Sequence, residues 1–555
     1  RSSRECRANA PSDMKYLTGI TLAMVVTALV LVCFLVFLDT AIIVTAVPFI
    51  TTQFHSLGDL GWYGSSYQIS NACLQPLAGL IYMNFNAKVT NLFGLFFLSL
   101  SSVLCCVGLQ NSSMMLIIAR AVAGMGCAGL VNGSLTIISS SVPLHKSPRK
   151  FLVGITMGTS QLGIVLGPLL GGLFTHSATW RWCFYMNLPI CGVVALLLMF
   201  IEPPEQASKP SLSVATVINI LLHKLDLVGF TLLAPAAIQL LLALDYGEHV
   251  YGWKDSTPIG LFCGAGATFV VFLLWERHQG DGAMIPLKMI KNRVVWTSCL
   301  TQRTAFCMSL VASFYLPLYF QGIKDATPVM SGVYMLPGIL FQLLFAIVCG
   351  GLIKRLGYYL PWGIAGAALG AIGTGLMSTL NPDTSTGKWV GYQILAGVGR
   401  GAGQQVPIIA IQNAVLPARI SIGVSTLMFV QTLAGGVVFT RYDVLFSNGL
   451  KSLIPQEAPG VNAQAVIAAG AKGIRGAVSG KDLPGVLSAY AKSIDRAFYM
   501  AAAIGACGVF FALGMGWKDI REKPAADDDK VELEELATRD KAQRAPEKRP
   551  ADDQV

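Results

Sequence analysis

Charge is scarce in this sequence. Only 13% of its 555 residues are Asp, Glu, Lys or Arg, whereas 54% are hydrophobic. A soluble domain carries about 25% charge, so this chain has too little to cover a globular surface in water. Histidine is scarce as well. There are six, with no H-x-x-x-H pair and no Cys/His cluster, which argues against the common zinc sites and the hydrolytic enzymes built on them. The thirteen cysteines form neither a metal-ligand spacing nor a disulfide framework. Most sit inside apolar runs, as Cys33, Cys105, Cys106 and Cys127 do, and read as small buried hydrophobes. A phosphate-binding loop is missing too. The nearest match, Gly476-Ala-Val-Ser-Gly480-Lys481-Asp482, has one residue too few between its glycines and an Asp where Ser or Thr would hold Mg²⁺. ATP-driven transport is therefore disfavoured, and so is a membrane-embedded enzyme.

What the chain has instead is a succession of apolar runs long enough to cross a bilayer as helices. Fourteen spans are expected, at about 20–46, 61–83, 91–109, 114–138, 152–174, 184–201, 226–245, 257–275, 297–320, 330–350, 359–379, 389–411, 421–442 and 497–517. The fold class is thus an all-α polytopic membrane protein. The first run is too long for a signal-peptide core and no small-residue cleavage site follows it, so it reads as a retained span. The net charge of +10 does not call for nucleic acid, because the basic residues concentrate in alternate short loops. One set of loops holds Lys88, Arg149, Lys150, Lys288, Arg293, Lys354, Arg355 and Arg419, and the other only Arg181, Lys254, Lys324 and Lys388. By the positive-inside rule both termini face the cytoplasm. The expected organisation is a cytoplasmic segment 1–19, a six-helix half 20–201, a linker with two inserted helices 202–296, a second six-helix half 297–517 with a large extracytoplasmic loop 443–496, and a disordered tail 518–555. Alanine-rich stretches at Ala465–Ala471 and Val486–Ser493 are expected to form short amphipathic helices on that loop. Asn111-Ser-Ser matches a glycosylation sequon, but its loop is short.

An internal repeat supports the two halves. Ile118-Ala-Arg120-Ala-Val-Ala-Gly124-Met-Gly126 in span four resembles Val398-Gly-Arg400-Gly-Ala-Gly403 in span twelve. Gln161 followed by the glycines of span five has a counterpart in Gln431 followed by Gly435-Gly436 in span thirteen. The offset of eight helices leaves spans seven and eight as the insertion, with parallel repeats on either side.

Span five carries the most organised stretch, Gly163-Ile-Val-Leu-Gly167-Pro168-Leu-Leu-Gly171-Gly172. Gly163, Gly167 and Gly171 recur every fourth residue and share a helix face, which lets another helix approach closely. Pro168 removes a backbone hydrogen bond and can bend the helix. On spacing alone this is either a packing face or something more. The pattern G-x-x-x-G-P-x-x-G-G resembles the antiporter motif of the major facilitator superfamily, and Trp180-Arg-Trp-Cys-Phe-Tyr-Met-Asn-Leu-Pro189 resembles the entry to helix six in fungal fourteen-helix drug:proton antiporters. The resemblance runs from about Leu29 to Trp517 and implies two six-helix halves plus two inserted helices.

Charges inside spans need a reason, since each costs at least about 2.5–3.5 kcal/mol on insertion scales. Asp39 lies in Leu38-Asp-Thr-Ala-Ile-Ile-Val-Thr-Ala-Val-Pro48, which resembles the family's helix-one motif with Ala41 in place of its Thr. A buried carboxylate can exchange a proton, or can serve as a structural partner for a neighbouring cation. Arg120 resembles the Arg of the R-x-x-x-G-x-G motif in helix four, for which the family implies proton coupling; Ala123 stands where Gln is frequent. Asp39 and Arg120 form a candidate pair. Arg400 reads as a structural or binding-site cation. Gln75, Gln161, Gln404 and Gln431 are candidates for an amphipathic substrate cavity, although membrane Gln residues commonly bond across helices. The loop between spans two and three, Gly79-Leu-Ile-Tyr-Met-Asn-Phe-Asn-Ala-Lys88, keeps Gly79 and Lys88 of the superfamily's gating motif but has Met83 for its Asp and Asn84 for its Arg. The second copy, Gly350 to Gly357, has Lys354 and Arg355.

The resemblance implies a proton-coupled efflux transporter for small organic toxins, drugs or secondary metabolites. It implies no cofactor beyond a proton gradient, a monomer in the lipid bilayer, and residence in the plasma membrane, with a vacuolar or vesicle membrane as the other site. A siderophore carrier and a vacuolar basic amino-acid transporter are the alternatives within the superfamily. Few carboxylates lie within spans, which disfavours cationic cargo.

Overall fold

A computed structural model describes residues 17, 19–54, 60–107, 113–141, 148–204, 213–249, 251–478 and 480–519. Asn111, residues 1–16 and residues 520–555 lie outside the described residues. Among the described residues there is no strand beyond one isolated bridge, Tyr358 with Asp519. The long helices are α1 (Gly19–Phe54), α2 (Leu60–Asn84), α3 (Ala87–Val107), α4 (Ser113–Ser141), α5 (Pro148–Ser177), α6 (Asn187–Met199), α7 (Leu227–His249), α8 (Ser256–Gln279), α9 (Arg293–Leu318), α10 (Pro328–Leu356), α11 (Leu360–Met377), α12 (Thr386–Gly403), α13 (Ile420–Glu457) and α14 (Leu483–Leu513). A four-residue helix, Trp182–Tyr185, leads into α6, and Val406–Ala414 continues α12 after a turn at Gln404 and Gln405.

Twelve helices among the described residues are long and apolar enough to cross a bilayer. The exceptions within this series are α2, which carries Ser65, Ser66, Gln68, Asn71 and Gln75, and α12, which is short and glycine-rich. Pro76, Pro168, Pro235, Pro317 and Pro337 lie inside helices. In water an internal proline costs about 3 kcal/mol; inside a membrane bundle the freed carbonyls find partners locally. The ends are set by caps. The Asn86 side chain accepts from Lys88 N and Val89 N at the start of α3, Asn292 accepts from Val294 N before α9, and Gly357, at φ 81°, closes α10 in the left-handed conformation that suits glycine.

One boundary differs from expectation. α13 continues to Glu457 and α14 begins at Leu483, so much of the expected loop 443–496 is helix. The cause is an apolar stripe that continues along both helices. Phe446, Leu450 and Ile454 on α13 and Val486, Tyr490 and Ile494 on α14 recur at helical spacing and are buried in one cluster. The segment Val486–Ser493 is therefore the first turns of α14 and not a separate surface helix, while Ala463–Ala477 does form a short helix between the two.

Helix contacts repeat with an offset of eight. α1 packs on α5 and α6, and α9 packs on α13 and α14; α4 packs on α2 and α3, and α12 on α10 and α11. The two halves meet reciprocally, through α5 with α10 and α2 with α13. α7 lies against α2 and α13, and α8 packs on α7.

The bundle is sealed at one end. The near face is the one at which α1 begins and α14 ends. There a single buried cluster joins Leu80, Tyr82, Ile137 and Val153 of the first half to Ile408, Ile411, Ile422 and Leu427 of the second. A Cβ at Gly79 would lie 3.1 Å from Ile422 Cα, and one at Gly154 would lie 2.8 Å from Ala346 O. Gln405 Nε2 donates to that same carbonyl at 2.6 Å. Towards the far face the buried clusters separate. One draws its buried members from residues 307–501 alone, and another from residues 42–184. The halves are fused at the near end and distinct at the far end.

Candidate functional site

Asp39 lies near the middle of α1 and Arg120 on α4, and the bundle brings them together. Arg120 Nη1 donates to Asp39 Oδ2 at 2.6 Å, with the two side chains only 1% and 2% exposed. The other carboxylate oxygen accepts from Asn187 Nδ2 at 2.9 Å, and the same amide lies 3.4 Å from Ser102 Oγ on α3. Arg120 Nε donates to the Tyr63 carbonyl at 3.3 Å. Its guanidinium carbon sits 4.5 Å from the ring centroid of Tyr67 and 6.0 Å from that of Phe184. The Tyr67 hydroxyl is 3.0 Å from Thr40 Oγ1. Residues of α2, α3, α4, α6 and the short helix Trp182–Tyr185 thus surround the pair. A charge pair this dry is stable only when its remaining donors and acceptors are satisfied, and the aromatic faces and the Asn187 amide supply that.

The glycine face of α5 explains how α1 is held. A Cβ on Gly163 would lie 2.8 Å from Leu38 N, one on Gly167 2.9 Å from Ile42 N, and one on Gly171 3.0 Å from Ile42 O. The positions contacted run from Phe34 to Thr45 and bracket Asp39. α5 therefore presses on the backbone of the residues that carry the carboxylate. Gly172 is off this face, and a Cβ there would meet nothing within 4 Å. Pro168 is half-buried within the continuous helix.

A second feature lies between the halves. Ile164 of α5, Ser309, Ala312, Ser313 and Leu316 of α9, Met335, Ile339 and Gln342 of α10, and Gln393 and Arg400 of α12 line a narrow cavity. Arg400, expected as a structural or binding-site cation, is here. Of the four Gln residues expected with it, Gln431 accepts from Gln302 Nε2 at 2.8 Å and Gln404 from Gln342 Nε2 at 3.0 Å. Both are engaged in helix–helix bonds and neither lines this cavity. Gln75 is buried on α2 with its Oε1 unpartnered, also away from the lining. The side chain of Gln161 lies outside those described. Gln342 and Gln393 are the amides that reach the cavity.

The gating positions separate. Gly79 sits in the near-face seal against α13. Lys88 Nζ donates to the Met199 carbonyl at 2.8 Å, a cation at the C-terminal end of α6. Arg355 is exposed in the last turn of α10, and the Lys354 side chain lies outside those described.

The family model of the Major Facilitator Superfamily matches residues 29–439. The chain belongs to this superfamily. It is 52% identical over 514 residues to the MFS-type transporter pigP of Monascus ruber, covering 92% of this chain and 89% of that protein. It is 50% identical to the efflux pump mlcE of Penicillium citrinum, over 92% of this chain and 93% of that one, and 48% identical to the efflux pump mokI of Monascus pilosus, over 91% and 93%. Among solved structures, the proton:xylose symporter XylE aligns with a TM-score of 0.59 at 14% identity, over 90% of this chain and 98% of that one. That likeness is one of fold.

Asn187, Ser102, Tyr63 and Tyr67 surround the Asp39–Arg120 pair and were not singled out from the sequence. Asn187 stands within the segment Trp180 to Pro189, and a lone Asn opening an apolar helix was the available signal.

Proposed function

We propose that this chain is a proton-coupled exporter of small organic metabolites, resident in the plasma membrane with both termini in the cytoplasm. The observation that carries the reading is the sequestered Asp39–Arg120 pair, gripped by the glycine face of α5. The efflux pumps mlcE and mokI, similar over nearly the whole chain, support the direction of transport.

The physical logic is one of magnitudes. Removing one partner of a buried ion pair costs about 3–5 kcal/mol. Shifting a two-state equilibrium from 1:99 to 99:1 takes about 5.5 kcal/mol. A proton delivered to Asp39 neutralises the carboxylate and leaves Arg120 with an uncompensated charge among Tyr67, Phe184 and the Tyr63 carbonyl. Protonation at this one atom is therefore of the right size to bias the packing of α1 against α4 and α5. Because α5 also forms the seam with α10, a shift of α1 bears on the junction between halves. With the near face taken as cytoplasmic, the arrangement described is the one from which cargo is released outward and a proton is taken up.

The test is export from a pump-deficient yeast expressing this chain, loaded with a panel of aromatic metabolites and dyes. Loss of cargo that a protonophore stops is the expected result. Protonophore-sensitive accumulation would overturn the exporter reading in favour of uptake.

A further inference from the structure

The two repeats treat their arginines differently. In the first half the α4 arginine, Arg120, is neutralised by Asp39 on α1. In the second half the arginine at the matching place in the repeat, Arg400 on α12, is also buried, 6% exposed. Its Nε has no hydrogen-bond partner, and no ion pair or ring contact engages it among the described residues. The helix that corresponds to α1 is α9, and towards Arg400 it presents Ser309 and Ser313. No carboxylate lines the cavity. The acids of the neighbouring helices, Asp443 on α13 and Asp495 on α14, are not part of it.

We infer that the cavity beside Arg400 binds an organic anion, with the ionised acid group of the cargo taking the place that Asp39 occupies beside Arg120. The inference rests on the exporter reading for its physiological meaning but not for its test. Three features support it. A buried guanidinium without a counter-ion is strongly unfavourable unless something completes it, and its fork geometry matches a carboxylate with two parallel hydrogen bonds. Ser309, Ser313, Gln342 and Gln393 line the same space without a negative charge to compete for the cation; Ser309 Oγ already donates to the Ala305 carbonyl, Gln342 Nε2 to Gln404 Oε1 and Gln393 Nε2 to the Tyr334 carbonyl. The remaining lining, Ile164, Ala312, Leu316, Met335 and Ile339, is apolar and suits the hydrocarbon next to the acid group, the rest of the body lying outside so narrow a cavity. A cationic cargo would meet an uncompensated positive charge.

The test is equilibrium binding of pyrenebutyrate and of its uncharged methyl ester to the purified full-length chain in detergent, followed by probe fluorescence anisotropy. The two probes share one hydrophobic body, so their ratio isolates the acid group. Wild type should bind the acid at least tenfold more tightly than the ester, and the preference should weaken with added salt. Arg400→Gln should lose the preference while still binding the ester. Arg400→Lys should keep part of it. Equal binding of the two probes by wild type, no binding of either, or an undiminished preference in Arg400→Gln overturns the inference. The readout needs no proton gradient and no direction of transport. Failure of protonophore-sensitive export alongside a clear acid preference would therefore count against the exporter reading alone.

Discussion

Asp39 accepts from two side chains on two different helices, and the two contacts differ in what their loss should do. Asp39→Asn removes the charge that Arg120 is buried against, and Arg120→Ala strands the carboxylate. Either variant is expected to abolish protonophore-sensitive export while still reaching the cell surface, measured by cargo retention beside surface labelling; normal export by either would remove that residue from the coupling step. Asn187 is a gentler probe. Asn187→Ala deletes a hydrogen bond to a charged group, worth about 1.5–3 kcal/mol, and leaves the ion pair in place. An export rate reduced about tenfold is expected, since about 1.4 kcal/mol corresponds to a factor of ten in rate. A rate equal to wild type would mean that the amide merely fills space beside Asp39.

At the scale of elements, the contact of α5 with α1 separates the motif glycines by role. Gly167 faces the backbone at Ile42, where even a methyl carbon would sit 2.9 Å from an amide nitrogen that cannot rotate away. Gly172 faces open space. Gly167→Val should therefore force α1 and α5 apart and eliminate export, whereas Gly172→Ala should transport as wild type does. Equal effects of the two substitutions would contradict the helix-face argument. The inserted pair is placed by α7, which lies against α2 and α13, the helices of one of the two seams between halves. α8 is mostly exposed along its length, in keeping with a helix that faces lipid.

At the scale of the whole molecule, the halves share a core at the near face and have separate cores at the far face. Alternating access requires the shared core to open. Gly79 and Ser425 face each other across that seam, and a Cβ on Gly79 would lie only 2.9 Å from Ser425 Cβ and 3.1 Å from Ile422 Cα. Gly79→Val should therefore wedge the near-face seal apart and reduce export, read as cargo efflux beside surface labelling. Export equal to wild type would show that the close approach at Gly79 is not needed for the cycle.

The all-helical membrane fold and most of its spans were legible in the chain because lipid imposes length and apolarity on a spanning segment, and both can be counted along a sequence; α2 and α12 fall short of that measure. The glycine face of α5 was legible for a similar reason, since a four-residue period on a helix is a local property. Asp39 and Arg120 stood out because charge is costly where everything else is apolar. Their meeting, at 2.6 Å across 81 positions of sequence, depended on how α1 and α4 pack, and so did the choice of Asn187 as the third member. The Gln residues show the limit most plainly. Gln342, Gln404, Gln393 and Gln431 are alike in a sequence and all four bond across helices, and only the rotation of each helix against its neighbours decided that Gln342 and Gln393 also line the cavity while Gln404 and Gln431 do not. The lengths of α13 and α14 were decided in the same way, by a packed apolar stripe that continues where composition alone suggested a loop.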